Sequence, residues 1–272
     1  MYNNVSLQAT KLVEMASRVK KNSYRTKLIT ITSGKGGVGK STITSNLAFL
    51  LSQKGYKVAV LDADIGLANL QVLFDVKPQN SFFDFIEGKI TLKESITKTS
   101  YENIYLFAGI SSFEYSSFKN SFVFSNLIKD ILSMDSFDFL LIDTGAGLND
   151  YVKEFLAISD NILAVTSTDP SALTDVYALM KMLSMNKSKL MLCFNHTKSY
   201  QIGETITNSL ITLGKKNSLK SDFMVKYLGN ISSCTNIATT SRLRKIFTNE
   251  FRSDEVTFQM EFVLKNLLSS IK

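Results

Sequence analysis

The sequence predicts a single α/β domain in which a mostly parallel, twisted sheet carries helices on both faces. Strand-like runs rich in β-branched and large apolar residues alternate with helical patterns, as in consecutive βαβ units. The 272 residues are 44% hydrophobic, which is enough to bury a substantial core. Only two prolines occur, and no Pro/Gly/Ser-rich linker divides the chain. The expected strands span residues 28–33, 57–62, 103–107, 137–143, 161–167, 188–194 and 223–228.

Composition narrows the class of protein. No apolar run reaches the roughly 18 residues of a membrane-spanning helix, and the N-terminus lacks the apolar core of a secretory signal, so we expect a cytoplasmic protein. The net charge of +7 permits attraction to nucleic acid, anionic lipid or an acidic partner without choosing among them. Cys193 and Cys234 are too few and too far apart for a disulfide framework or a zinc site.

A glycine-rich loop carries the strongest signal for function. It follows the strand 28–33 and opens a helix expected over about 41–54. Glycines let backbone N–H groups turn inward around phosphates, and the helix N-terminus adds donors and a favourable dipole. Lys40 would reach the β- and γ-phosphates, the Ser41 hydroxyl would coordinate Mg²⁺, and Thr42 would bond a phosphate oxygen. The motif predicts a P-loop nucleoside triphosphatase and consists of Gly34, Lys35, Gly36, Gly37, Val38, Gly39, Lys40, Ser41 and Thr42.

Lys35 separates this loop from an ordinary Walker A motif. With Lys40 already assigned to the γ-phosphate, a lysine at the start of the loop has no role toward its own nucleotide. The sequence resembles the MinD/ParA class of deviant Walker A ATPases, part of the SIMIBI class of P-loop proteins. The resemblance implies that the chain binds ATP, forms a homodimer, and places Lys35 against the partner's nucleotide. It also implies slow, Mg²⁺-dependent hydrolysis to ADP and phosphate. The alternative is a solvent-facing lysine.

Two carboxylates follow the strand 57–62, at the edge where ligands bind in open parallel sheets. In the MinD class, the segment that matches residues 62–70 is the first switch. By this resemblance Asp64 orients the attacking water and completes a catalytic set with Lys35 and Lys40. Asp62 lies near the Mg²⁺ shell, and Asn69 helps to close the dimer face. A structural capping role is the alternative for Asp64.

The apolar strand 137–143 ends in Asp143, as a Walker B segment does. Asp143 can hold Mg²⁺ through its water shell, which makes it the third candidate for the metal beside Ser41 and Asp62. Gly145 and Gly147 resemble the second switch, in which glycines let backbone N–H groups approach a γ-phosphate. Taken alone, Asp143 could instead cap the turn after the strand.

Asn195 is the candidate for base recognition. It follows the strand 188–194 and matches the place where the MinD/ParA class uses an asparagine to read adenine, although a turn-forming asparagine is the alternative. Family members usually carry Pro and Asp after the last strand, whereas residues 228–234 of this chain contain neither. His196, the only histidine, has no visible metal or catalytic partner in the sequence and is expected to be a surface or loop residue.

Beyond the ATPase core, the chain most resembles the FlhG (YlxH) branch of the class. The segments 143–147 and 168–179 look like that branch's switch and the helix after it, and the resemblance covers roughly residues 26–250. It implies regulation of flagellar number and placement. The partners implied are an FlhF-type SRP GTPase and the flagellar C-ring or switch proteins.

The first 26 residues are expected to form an N-terminal arm that precedes the ATPase domain, 27–250. Apolar residues spaced near 3.6 over 5–21 predict an amphipathic helix, and a basic tether follows it. FlhG proteins can carry an element here that stimulates FlhF. This chain keeps its Gln, Ala and Leu as Gln8, Ala9 and Leu12, but replaces its Asp and Arg. An arm that packs on its own domain is the alternative.

The last segment, 251–272, is expected to be an amphipathic helix. The family's terminal helix can bind membrane when ATP forms the dimer, which would place this chain at the inner face of the cell membrane, on an anionic surface. A helix packed on the core gives the same pattern. The apolar residues expected along one side are Phe258, Phe262, Leu264, Leu267, Leu268 and Ile271.

Three other functions compete with a flagellar regulator. A ParA-like partition ATPase would bind DNA through basic patches, although we expect no nucleic-acid partner. A MinD-like ATPase would act at the division site. A redox or metabolic P-loop enzyme, such as a nitrogenase-type reductase, would need cluster cysteines beside the switches, and Cys193 and Cys234 do not occupy such places.

Overall fold

An eight-stranded sheet forms the centre of the chain in the computed structural model, which describes residues 24–65, 69–109, 122–217 and 219–271. The strand order is β3-β4-β2-β5-β1-β6-β7-β8. Neighbours pair in parallel except for β3 and β4, which are antiparallel. The strands are β1 (Lys27–Ser33), β2 (Val58–Ala63), β3 (Ile96–Lys98), β4 (Ile104–Phe107), β5 (Phe139–Ala146), β6 (Ile162–Thr166), β7 (Lys189–Asn195) and β8 (Met224–Ile231).

The α/β class and the mostly parallel sheet are confirmed. All seven predicted strands are present. Six of them are largely buried runs bounded by turn residues, whereas the first half of β8 is half-buried or exposed. The strand that the sequence did not predict is β3. Its three residues are half-buried or exposed, and it only adds an antiparallel edge to the sheet, so it has too little apolar character to be recognised.

Helices cover both faces of the sheet. Side chains alternate along each strand, so Ile29 and Ile31 of β1 face one helical layer while Leu140 and Ile142 of β5 face the other. The helices are α1 (Lys40–Gln53), α2 (Leu70–Leu73), α3 (Phe82–Ile86), α4 (Val123–Ser133), α5 (Asp150–Ile158), α6 (Pro170–Ser184), α7 (Tyr200–Lys216), α8 (Thr235–Arg242), α9 (Phe247–Glu250) and α10 (Glu255–Leu268), with a 3₁₀ turn at Leu92–Ser95.

Strand register brings the polar candidates to one edge. β1, β2 and β5 lie side by side in the middle of the sheet, and Asp62 pairs directly with Asp143 across the β2–β5 ladder. The chain leaves β1 through the glycine-rich loop and enters α1. The carboxyl ends of these three strands therefore surround the N-terminus of α1.

The terminal helix α10 packs on β8 and α1. Its buried side includes Met260, Leu264 and Leu267, whereas Phe258 and Phe262 are 55% and 44% exposed. The prediction that both phenylalanines share a side with Leu264 and Leu267 was wrong. At 3.6 residues per turn, positions 258 and 262 lie almost opposite position 267. The two phenylalanines therefore form an exposed apolar strip.

Two predictions concern residues outside the described ranges. The N-terminal arm lies largely there, including Gln8, Ala9 and Leu12, as does the stretch 66–68 of the first switch. In the part of the chain that the structure describes, no helix combines the length and apolar character needed to cross a bilayer.

Candidate functional site

The glycine-rich loop wraps around the N-terminus of α1. Gly37 and Gly39 have φ angles of 77° and 87°, in the left-handed region that favours glycine. Gly39 is also the N-cap of α1, and a Cβ placed on it would fall 2.3 Å from Asn195 Nδ2. The first N–H groups of a helix have no partner within that helix, so the loop and α1 together present donors to an anion.

A cavity of about 640 Å³ opens beside this loop. Its volume is in the range of small-molecule and cofactor sites. The loop, the two switches and α2 all contribute to its wall, so the structure brings most of the predicted site residues together. The lining residues are Ser33, Gly36, Gly37, Val38, Gly39, Lys40, Ser41, Thr42, Asp64, Ile65, Asn69, Val72, Leu73, Ala146, Tyr151 and Ser241.

Lys40 lies at the inner end of this cavity and is only 7% exposed. Its Nζ donates a hydrogen bond to Asp143 Oδ1 at 3.1 Å and lies 4.0 Å from Asp64 Oδ2. The Thr44 hydroxyl donates to the same Asp143 oxygen at 3.2 Å. Removing one partner from such a buried pair leaves an uncompensated charge, so the ammonium group is firmly held.

The buried carboxylates next to Lys40 are only partly satisfied. Asp62 Oδ2 accepts a hydrogen bond from the Leu70 backbone N–H at 2.9 Å. Asp62 Oδ1 and Asp143 Oδ2, both buried, have no hydrogen-bond partner among the described residues. Such buried, unpaired oxygens fit a hydrated cation, because Mg²⁺ takes oxygen ligands and keeps several waters.

The same burial sets the acidity of these groups. Desolvation, followed by the negative charge of Asp143, raises the pKa of Asp62 from 3.8 to about 7. Desolvation also raises the pKa of Asp64, against the opposing effect of Lys40. Within the described ranges, no three His, Cys, Asp or Glu side chains are grouped closely enough to hold a metal ion by themselves. Mg²⁺ at this site would therefore also need oxygens from the nucleotide and water.

Lys35 points away from this cavity and is not among its lining residues. Its Nζ donates a hydrogen bond at 2.9 Å to the exposed Ser171 hydroxyl near the start of α6. Gly34 lies tightly against the same helix, because a Cβ on it would fall 2.3 Å from Asp175 Cβ. The beginning of the loop is thus braced on α6, while its end forms the cavity wall.

The second switch begins where β5 ends. Gly147 has a φ of 82°, and its N–H donates to the Ser33 carbonyl at 3.0 Å, which ties this segment to the end of β1. Gly145 lies beside Asp64 of the first switch, with a Cβ position only 3.1 Å from Asp64 Oδ1. The structure therefore places the two switches in contact at the cavity.

Asn195 is buried against the loop. Its Nδ2 donates to the Val38 carbonyl at 2.8 Å, and its Oδ1 accepts from the His196 N–H at 3.0 Å. Both ends of the amide are thus engaged within the chain, and the adenine-reading role stays a prediction. His196 is exposed in a loop, as expected, and its Nδ1 lies 3.3 Å from the Ser233 hydroxyl.

Sequence reasoning missed several lining residues. Val72 and Leu73 belong to the short α2, Ser241 to α8, and Tyr151 to α5. None of them belongs to a recognisable motif. The available signal for Tyr151 was its place just after the second switch, where Asn149 caps α5 by accepting the Val152 N–H at 3.0 Å.

Comparison with known proteins identifies the family. The ParA family model, described as NUBPL iron-transfer P-loop NTPase, matches residues 25–268. The flagellum site-determining protein YlxH of Helicobacter pylori is 36% identical over 252 residues, covering 92% of this chain and 85% of that protein. The antiactivator FleN of Pseudomonas aeruginosa is 31% identical over 207 residues, covering 75% and 72%.

A solved structure agrees with the fold. The septum site-determining protein MinD of Pyrococcus horikoshii, complexed with Mg-ADP, superposes with a TM-score of 0.70 at 23% sequence identity. The match covers 89% of this chain and 96% of that one. On the matched family model and the long alignment with YlxH, the chain belongs to the ParA/MinD family of P-loop NTPases.

Proposed function

We propose that this chain is an ATP-dependent, dimerising switch ATPase that regulates flagellar number and placement through protein partners at the membrane. The arrangement around Lys40 is the observation that carries the ATPase part. A buried lysine and two buried carboxylates lie at the end of the glycine-rich loop, and each carboxylate has one oxygen with no hydrogen-bond partner in the described part of the chain. The flagellar part is supported by the similarity to YlxH over 92% of the chain.

In this proposal the nucleotide phosphates compete with Asp143 for Lys40. The ammonium turns from the Asp143 carboxylate toward the β- and γ-phosphates, and Asp143 would then be free to help hold hydrated Mg²⁺. Ser41 would supply a hydroxyl to Mg²⁺, Thr42 would bond a phosphate oxygen, and Asp62 would help to hold the hydrated metal. Mg²⁺ bound there would neutralise part of the phosphate charge.

In this proposal Lys35 binds the nucleotide of a second copy of the chain. The hydrogen bond from Lys35 to Ser171 is exposed and its acceptor is an uncharged hydroxyl, so water can replace it at a cost of only about 1 kcal/mol. A partner's phosphate is an anionic acceptor, so attraction between opposite charges adds to the hydrogen bond from the Lys35 ammonium. The dimer therefore forms when ATP is present. Asn69, at the cavity opening, helps to close its face.

The remaining contacts in this proposal are with other partners. The arm residues Gln8, Ala9 and Leu12 would contact an FlhF-type GTPase, and other surfaces would contact flagellar C-ring or switch proteins. On α10, Phe258, Phe262 and Lys265 all lie exposed. An apolar strip flanked by a lysine is typical of a helix that lies on an anionic membrane surface.

The Asp64→Ala variant tests the switch. It should bind ATP, because Lys40, Ser41 and Asp143 remain, but it should not hydrolyse ATP and should elute as a dimer in size-exclusion chromatography with Mg·ATP. A variant that hydrolyses ATP at the parent rate, or stays monomeric with ATP bound, would refute the assignment.

Flagellar counts test the biological role. Cells that lack the protein should show altered flagellar number or placement, and the Lys40→Ala variant should fail to restore the parent pattern. Unchanged flagella together with ATP-dependent, salt-sensitive DNA binding would instead support a partition ATPase.

A further inference from the structure

Tyr151 reaches the nucleotide cavity from the first turn of α5. Its ring is half-buried and packs against hydrophobic clusters on both sides of α5, which include Phe155 on one side and Val152 on the other. The side chain also lines the cavity. The ring is thus fixed by packing, and its hydroxyl is placed at the wall of the site.

The hydroxyl and the Asp64 carboxylate both lie close to Gly145. A Cβ on Gly145 would fall 3.2 Å from the Tyr151 hydroxyl oxygen and 3.1 Å from Asp64 Oδ1. Both oxygens therefore border the space beside Gly145, and glycine keeps that space free. A side chain there would meet both groups at less than an ordinary contact distance.

The two carboxylate oxygens of Asp64 face different groups. Oδ2 lies 4.0 Å from Lys40 Nζ, whereas Oδ1 borders the space shared with Tyr151. A carboxylate accepts hydrogen bonds, and a phenol hydroxyl both donates and accepts, so a water within reach of both oxygens can bond to each of them. Two partners fix the orientation of a water molecule better than one does.

We propose that the Tyr151 hydroxyl and Asp64 Oδ1 together hold the water that attacks the γ-phosphate. This inference rests on the proposed ATPase function. The water oxygen forms a bond to the γ-phosphorus while the bond from that phosphorus to the bridging oxygen breaks. The bridging oxygen leaves on ADP with the electron pair, and the proton of the attacking water passes to an oxygen of the released phosphate. Tyr151 orients the water and exchanges no net proton.

The Tyr151→Phe variant removes the hydroxyl and keeps the packed ring. Loss of one hydrogen bond to a reacting group should lower the single-turnover rate of ATP hydrolysis about tenfold. Affinity for a fluorescent ATP analogue and the thermal midpoint should stay at parent values, because the ring packing and the phosphate contacts remain. Tyr56→Phe is the matched control. Tyr56 lies just before β2, at the opposite edge of the sheet from the cavity. Removing its hydroxyl should leave the hydrolysis rate unchanged.

The Asp64→Ala variant distinguishes a failure of the Tyr151 role from a failure of the ATPase assignment. If Asp64→Ala stops hydrolysis while Tyr151→Phe hydrolyses within twofold of the parent rate, the role of Tyr151 is refuted and the ATPase assignment stands. If Asp64→Ala itself hydrolyses at the parent rate, the assignment of the attacking water fails. A slower Tyr151→Phe with weakened ATP affinity or a lowered thermal midpoint would also overturn the inference, since that result indicates a structural role.

Discussion

The buried contact between Lys40 and Asp143 makes a prediction about stability that needs no nucleotide. Lys40→Met removes the ammonium but keeps much of the side-chain volume. It leaves Asp143, which is fully buried, beside Asp62 with no cation in hydrogen-bond range among the described residues. Removing one partner of a buried pair costs about 3–5 kcal/mol. In a chain of this size, that corresponds to a fall in Tm of about 6–20 °C.

The loss of stability in the Lys40→Met variant should depend on pH. The pKa of Asp62 is raised to about 7, above its ordinary 3.8, by burial and by Asp143. Between these two values the folded chain binds a proton that the unfolded chain does not, so the destabilising effect is full above pH 7 and is relieved as pH falls. Without Lys40 the carboxylates gain more from protonation, since Lys40 lowers the pKa of Asp64. The Tm difference between parent and variant should therefore be smaller at pH 6 than at pH 8.

Differential scanning calorimetry in EDTA, without nucleotide, measures this difference. Lys35→Met is the matched control. Lys35 is exposed and, among the described residues, makes one hydrogen bond, to the exposed Ser171 hydroxyl, so the Tm of this variant should change by no more than about 4 °C. A Lys40→Met variant within about 2 °C of the parent at pH 8, or a difference that grows at pH 6, would refute the reasoning.

Two further predictions concern the dimer and the arm. Lys35→Ala should bind a fluorescent ATP analogue with near-parent affinity, since Lys35 does not line the cavity, but should no longer form ATP-dependent dimers in size-exclusion chromatography; unchanged dimers would contradict a role across the interface. Deleting residues 1–20 should leave ATP hydrolysis and dimerisation nearly unchanged, because the P-loop and its strand remain intact. The isolated peptide 1–20 should accelerate GTP turnover by an FlhF-type GTPase, and Gln8→Ala should abolish that effect; no acceleration at saturating peptide would contradict a recognition role.

The parts of the fold that the sequence predicted correctly are those set by local pattern. Buried parallel strands are continuous apolar runs, and the P-loop needs glycines at fixed spacing, so both can be read directly. The arrangement of α10 was not predicted, because the apolar residues of that helix lie on two sides. Only tertiary packing shows that Leu264 and Leu267 face β8 and α1 while Phe258 and Phe262 remain exposed.

The site was predictable only where a motif fixes it. Asp62 and Asp143 were found because both end apolar strands, and strand register then makes them neighbours. The contact of Asn195 with the Val38 carbonyl joins residues far apart in the sequence, and Tyr151 belongs to no motif. Such contacts depend on how β7 and α5 pack against the loop, and no local pattern encodes that packing.

The burial of α1 has a consequence for how the molecule responds to its ligand. Eleven of its 14 residues are buried, and it contacts α9 and α10 as well as the sheet. Packing therefore holds α1, the helix that follows the glycine-rich loop, in one position. In α2, by contrast, only Leu70 is buried, although Val72 and Leu73 also line the cavity. If the chain switches between ATP and ADP as proposed, we expect the difference to be registered on the α2 side, so a partner that distinguishes the two states should contact that side of the molecule or an element attached to it.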